Sequence, residues 1–489
     1  MIALFTATIL LSLLITLYSV FRSTAVQTFC ARLAAHYLSN VWQTEVLIHQ
    51  FDFSISHGLV IKDISIRDQH HEILFSADRL GLNINIPWST GGTIKIRRAF
   101  VDKGQIQLLT YKGDSTLNLQ FILDYFTPAE TTILPDTVPS PPFRLMFSSV
   151  ELVDTRFHFQ NMNDPPVPWG MDYSNIDVSD INLDITNIEI DQDTIRAHIG
   201  KLSAREQSGF TLHGLSGDFQ VSPAFLKAHD LKIITPNSNL DLSFDFLYTD
   251  WNAYVDFLNK VTIRAQIQPS IFDMTDITYF APDIRQMQNR FHFSGNIRGT
   301  VSNFKAHDFT CSFGQQTSFN GDIRANGLPD VYKTYVDMKL NSFTTIKADL
   351  ETFLIPGETD HLMIPSWIDQ VGILTLSGTY TGFYDEFITS IHASTHIGSI
   401  STDLAVIRDK ETGTIGYQGR LDGTSLDLGT LLGTPNILGC AGFRSGIDGK
   451  GLTLKDASLK VHMQVDSIDF NHYRYRNISM NGVLSDRFF

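Results

Sequence analysis

The chain has 489 residues, with 52 acidic against 37 basic side chains and a formal net charge of −15; 43% of it is apolar, including 35 phenylalanines. That acidity repels a phosphate backbone and argues against nucleic acid as a partner, while the apolar share supplies ample material for burial. Cys30, Cys311 and Cys440 are too far apart and too few to form a disulfide framework or a metal knuckle.

Ile2 to Phe21 is an uncharged run broken only by Thr6, Thr8, Ser12, Thr16 and Ser19. At about 1.5 Å per residue it reaches about 30 Å, the thickness of a bilayer's hydrocarbon core, so residues 1–22 read as a transmembrane anchor. A cleaved signal peptide needs a shorter apolar core and a small-x-small cleavage site, which Val20-Phe21-Arg22 does not offer. Arg22 and Arg32 follow the run, which by the positive-inside rule alone would hold the body in the cytoplasm; the strand-rich body is instead typical of an exported domain.

Residues 23–44 read as an amphipathic helix. Ser23 or Thr24 can cap it, Val26, Phe29, Leu33 and Tyr37 recur at three- and four-residue steps, and Asn40 can end it. This stripe is expected to lie against the first strands or on a membrane surface.

From Val46 the period changes from 3.6 to 2. Phe51, Phe53 and Ile55 alternate with Asp52, Ser54 and Ser56, His57-Gly58 turns, and Ile64 and Ile66 alternate with Ser65 and Arg67. The pattern returns at Leu80 to Ile86, Ile94 to Ile96, Gln105 to Leu108 and Leu117-Asn118-Leu119. Prolines between Pro128 and Pro142 and at Pro165, Pro166 and Pro168 mark exposed connections. Strands resume at Phe157 to Phe159, Ile181 to Ile185 and Ile188 to Ile190, and Asp191-Gln192-Asp193-Thr194 reads as a hairpin turn because it breaks the acid spacing of a calcium loop. Further on, Leu240, Leu242, Phe244 and Phe246 alternate with Asp241, Ser243 and Asp245 in the cleanest period-2 stretch of the chain. Past Phe280 a loose repeat appears: Phe291-His292-Phe293-Ser294-Gly295 resembles Leu374-Thr375-Leu376-Ser377-Gly378, and Ser445-Gly446-Ile447-Asp448-Gly449 echoes both. Its glycines most simply serve turns and bulges.

No catalytic signature emerges. Gly449-Lys450 has Arg444 where a phosphate loop needs glycine and Gly451 where it needs Ser or Thr; the serine-glycine pairs lack a nucleophile-elbow context; the histidines fall singly or in the turn pair His70-His71. The sequence therefore points to a protein that is not an enzyme and carries no cofactor, metal or catalytic residue.

The order of these segments carries a resemblance. The anchor, Val26-Gln27-Thr28-Phe29 through Tyr37-Leu38-Ser39, Phe51-Asp52-Phe53 through Val60-Ile61-Lys62-Asp63-Ile64, then Leu117 to Phe126, Gly321 to Asp330 and Leu426 to Gly433, resembles the AsmA-like family, most closely its TamB (translocation and assembly module) branch in Bacteroidetes-type form. The resemblance implies an all-β fold, a long curled antiparallel-rich β-sheet (a β-taco or repeating β-groove) behind an N-terminal transmembrane helix. Groove strands would fill residues 45–270 and 271–489, and the family's C-terminal domain would be missing after Phe489. It implies a single-pass inner-membrane protein with its bulk in the periplasm, carrying phospholipid acyl chains toward the outer membrane. Phe51, Phe53, Ile55, Leu240, Leu242, Phe244, Phe246, Phe291 and Phe293 would line the groove. The alternatives are a periplasmic chaperone or assembly factor beside a TamA- or BamA-like outer-membrane barrel, and a purely structural β-scaffold with a sealed core.

Overall fold

The computed structural model describes residues 23–54, 58–84, 93–126, 144–191, 193–280, 287–352, 364, 366–409, 412–451 and 458–484, with Ser12, Thr16, Ser19 and Val20 ahead of them. Two units divide the chain. One comprises Met1–Ser222, Lys227–Asn237 and Asp276–Pro282, the other Pro223–Leu226, Ser238–Thr275 and Asp283–Phe489.

The first unit opens with helix α1 (Thr24–Trp42) and strands β1 (Val46–Ser54), β2 (Gly58–Arg67), β3 (Ile73–Ile84), β4 (Thr93–Asp102) and β5 (Gln105–Thr110). A short helix α2 (Gln120–Phe126) precedes β6 (Arg144–Phe147), β7 (Ser149–Asn161), β8 (Asn175–Asp191), β9 (Thr194–Glu206), β10 (Thr211–Ser222) and β11 (Phe225–Ile234). Neighbours β1 to β4 and β7 to β10 pair antiparallel, whereas β4 runs parallel to β6 and β7, and β5 parallel to β7. A parallel return needs a long crossover, and the connection from β5 that carries α2 supplies it.

α1 lies over β1 to β3. Its sheet side is not the expected stripe. Gln27, Ala31 and Ala35 are buried there, with Leu38 and Trp42 packed on the same cluster, while Phe29, Leu33 and Tyr37 are 67%, 60% and 59% exposed. Alanines let the helix approach the sheet closely, so Ile48, Ile64 and Ala77 are sealed beneath it, and the bulky residues must face outward. The helix ends at Gln43, which takes a left-handed conformation with φ 52° and donates from its amide to Asn40 O at 2.6 Å. Ser23 precedes α1 without making a side-chain cap.

Leu117-Asn118-Leu119 is the lead into α2 and not a strand. Asn118 explains why: its amide oxygen accepts from Leu109 N at 3.0 Å and its nitrogen donates to the buried Asp68 at 2.8 Å, which fixes the turn whatever the side-chain alternation. The expected turn after Asp191 is a hairpin, with Asp191 paired to Thr194.

The second unit is a continuous antiparallel meander. It holds β12 (Asn239–Leu247), β13 (Thr262–Asp273), β14 (Arg290–Gly299), β15 (Asn303–Phe313), β16 (Thr317–Asn326), β17 (Tyr335–Thr345), β18 (Leu374–Phe383), β19 (Glu386–Thr395) and β20 (Gly398–Arg408). Four more follow: β21 (Ile415–Asp427), β22 (Leu438–Lys450), β23 (Ser458–Phe470) and β24 (Tyr473–Leu484). Each pairs antiparallel with the next.

The expected transmembrane helix is corrected at this point. Ile2 to Phe21 lies almost wholly outside the described residues, and among the described residues no helix is long and apolar enough to cross a membrane. α1 has the length, but its apolar residues are interrupted by Gln27, Arg32, His36 and Asn40.

Candidate functional site

Because strand side chains alternate and antiparallel partners face each other, residues of one kind line up in rows across a sheet. In the second unit such rows are long. One runs Phe293, Cys311, Phe319, Phe343, Leu376, Ala393 and Ile400 across seven strands, then Gly423, Phe443, Val465 and Ile478 to β24. Another runs Phe244, Ala265, Ile297, Ala306, Ile323, Met338 and Tyr380. In the first row the residues from Phe293 to Ile400 are half-buried; Phe443 and Val465 are buried where the short helix Leu428–Leu432 packs on them.

Several strand glycines are roofed by aromatic rings. A Cβ on Gly423 would lie 2.4 Å from the Phe443 ring, one on Gly449 2.6 Å from the Tyr417 ring, and in the first unit one on Gly81 1.9 Å from the Phe100 ring. Gly295, with φ +141°, serves a second purpose. It faces the bulge at Asp308, whose φ is 49°, and its Cβ would come 2.9 Å from Phe309 Cα. The repeat glycines thus sit within strands, against rings and bulges, more than at turns.

The sequence candidates distribute as follows. Phe51 packs on the core cluster beneath α1; Phe53 falls in β1 with its side chain outside the described residues, as does all of Ile55. Leu240, Leu242, Phe244 and Phe246 are half-buried on β12, with the last two rings 4.3 Å apart and Phe246 meeting Phe257 edge-on at 5.5 Å. Phe291 contacts Phe313 at 5.6 Å, and Phe293 lines an open recess of about 550 Å³ with Ile271, Cys311 and Phe319. The structure brings Phe291 and Phe293 together on one strand, and Leu240 to Phe246 together on another; Phe51 belongs to the other unit.

Beside that recess opens a larger one of about 1040 Å³, bordered by Arg290, His292, Phe313, Gln316 and Glu351. Its rim is the β15–β16 hairpin, held by a residue the sequence reading passed over. Asp349 is 3% exposed and accepts from the backbone N–H groups of Gln315, Gln316 and Thr317 at 2.8 to 2.9 Å and from the Thr317 hydroxyl at 2.9 Å. Burial pushes its carboxyl up, but these donors together outweigh it and hold the pKa below the usual carboxylate value. Asp68 does the same work in the first unit, accepting from His70 N, Glu72 N, Asn118 and the Tyr111 hydroxyl at 2.6 to 3.0 Å. Burial and Asp68 in turn raise the Tyr111 phenol. On the polar face, His307, Asp308 and Asp322 place ligand atoms close together, but all three are solvent-accessible and His307 is already bonded to Asp322.

No family model, curated protein or solved structure matches the chain. The AsmA-like resemblance therefore rests on the quoted sequence segments alone. With no matching relative and no membrane-crossing helix among the described residues, the expected inner-membrane, periplasmic carrier of phospholipid loses its support. So do the TamA- or BamA-like barrel partner and the roles in outer-membrane biogenesis and protein secretion, since each derived from the anchor and the family.

Proposed function

We propose that the protein is a non-catalytic β-scaffold that binds an extended apolar surface along the half-open face of its second unit. The carrying observation is the row from Phe293 to Ile400, apolar across seven strands and half-buried throughout. Covering such a face gains about 25 cal/mol per Å² of apolar area, so a partner that spans several strands is held without any directional contact. The non-catalytic part is supported by how the buried acids are employed: Asp68, Asp349, Asp273 and Glu206 spend their oxygens on turn N–H groups and neighbouring side chains. From the AsmA-like resemblance the reading keeps only a one-sided sheet without catalysis.

An anilinonaphthalene sulfonate dye, which fluoresces on apolar surface, tests it. Saturable binding to the folded full chain is expected, strongly weakened by Phe319→Asp and unchanged by Asn320→Asp on the neighbouring exposed position. Absence of binding, or equal binding to both variants, contradicts the proposal. A chemical turnover abolished by one polar substitution would remove its non-catalytic half.

A further inference from the structure

Many arginines among the described residues lie beside a carboxylate, and several do not. Arg67, Arg79, Arg98, Arg156, Arg205, Arg290, Arg324, Arg408, Arg420, Arg444 and Arg474 each have a carboxylate within ion-pair distance. On the polar face of the second unit, cations instead oppose one another from strand to strand. Arg264 on β13 faces Arg298 on β14, Arg298 faces Lys305 on β15, and Lys305 faces Arg324 on β16. Arg264, Arg298 and Lys305 are exposed, and among the described residues no ion pair or hydrogen bond engages their charged groups. Arg324 reaches Asp337 at 3.7 Å at one end of the row, and Asp245 opposes Arg264 at the other. The next positions on this face are Gln266, Asn296 and His307, with His307 bonded to Asp322 and Asp308 beside it.

Like charges directly opposed on adjacent strands destabilise a sheet, and a chain with net charge −15 has acids to spare for separating them. We propose that Arg264, Arg298, Lys305 and Arg324 form a binding strip for a linear oligophosphate. With neighbouring strands about 4.8 Å apart, the four cations span about 14 Å, a length that a chain of linked phosphate groups can follow with one charge per strand. Guanidinium groups suit this ligand because each can give two parallel N–H donors to one phosphate. A single phosphate engages one or two members of the strip and leaves the others repelling one another. Preference should therefore rise with chain length, and it should fall with salt as counterions compete.

Isothermal titration of the full chain with inorganic tripolyphosphate, and separately with orthophosphate, tests the strip at low ionic strength. Tripolyphosphate is expected to bind at least about tenfold more tightly, a margin of about 1.4 kcal/mol. Lys305→Glu should abolish the difference while raising the melting temperature, because it replaces the centre of the repulsion with attraction; a merely solvated lysine would move neither. Arg298→Gln, which removes the charge and leaves a shorter polar side chain at an exposed position, should weaken tripolyphosphate binding without loss of fold. Arg444→Gln, taken from a satisfied pair, should leave it unchanged. Equal affinity for the two anions, or tripolyphosphate binding that survives Lys305→Glu in a folded protein, overturns the proposal.

Discussion

Ile48, Ile64 and Ala77 face one another across β1, β2 and β3, and Phe319, Phe343 and Leu376 do the same across β16, β17 and β18. The first row is sealed, at 7%, 7% and 4% exposure; the second stays half-buried. The side chains are equally apolar, so composition does not separate them. What differs is the cover. α1 lays a face of alanines on the first row, close enough to exclude water, whereas among the described residues the second unit has only short helices, of which Leu428–Leu432 covers Phe443 and Val465. The lesson is that an apolar strand face becomes core only where another element is built to lie on it.

The sharpest way to break the contrast is to place a carboxylate in each row. Ile64→Asp buries an unpaired charge under α1 and should cost roughly 4 kcal/mol or more, read from urea unfolding. Next in size is Asp349→Ala, which strands three turn N–H groups in the β15–β16 hairpin and should cost about 3 kcal/mol. Asp349 also fixes a sign for pH. Its folded pKa lies below the ordinary 3.8, so its contribution is present above that value and is lost as the pH falls through the lowered pKa. Asp349→Ala should accordingly flatten that part of the acid limb of a stability-against-pH curve. Gly423→Ala comes third: the new Cβ displaces the Phe443 ring in the covered part of the row and should cost about 1 to 3 kcal/mol, measured by thermal unfolding. The smallest effect belongs to the open row. Phe319→Asp keeps its charge within reach of water and should cost no more than about 1 kcal/mol in the same urea experiment.

The local pattern was readable where one strand decides the outcome. Leu240 to Phe246 alternates in the sequence and forms β12 as that alternation requires. It was unreadable wherever a distant residue decides. Phe29, Leu33 and Tyr37 make the obvious stripe of α1, yet the sheet selects the small residues of the opposite side because they allow closer packing. Leu117 and Leu119 alternate like a strand until Asn118 is claimed by Asp68, some fifty positions earlier in the chain. Gly423 and Phe443 lie in separate stretches of sequence, and only the β21–β22 register sets the ring over the glycine. The opposition of Arg264, Arg298, Lys305 and Arg324 is likewise a product of register across four strands, with no local signature in the sequence.

Cysteine labelling tests the contrast most directly. In a background with Cys30, Cys311 and Cys440 replaced by serine, Phe319→Cys and Ile64→Cys report the two rows by their rate of maleimide modification in the folded protein. The cysteine at 319 should react at a rate approaching that of the urea-unfolded chain, and the one at 64 should be protected until α1 or the whole unit opens. Equal protection at both positions would mean that the face of the second unit is sealed, and would contradict the account of an uncovered binding face.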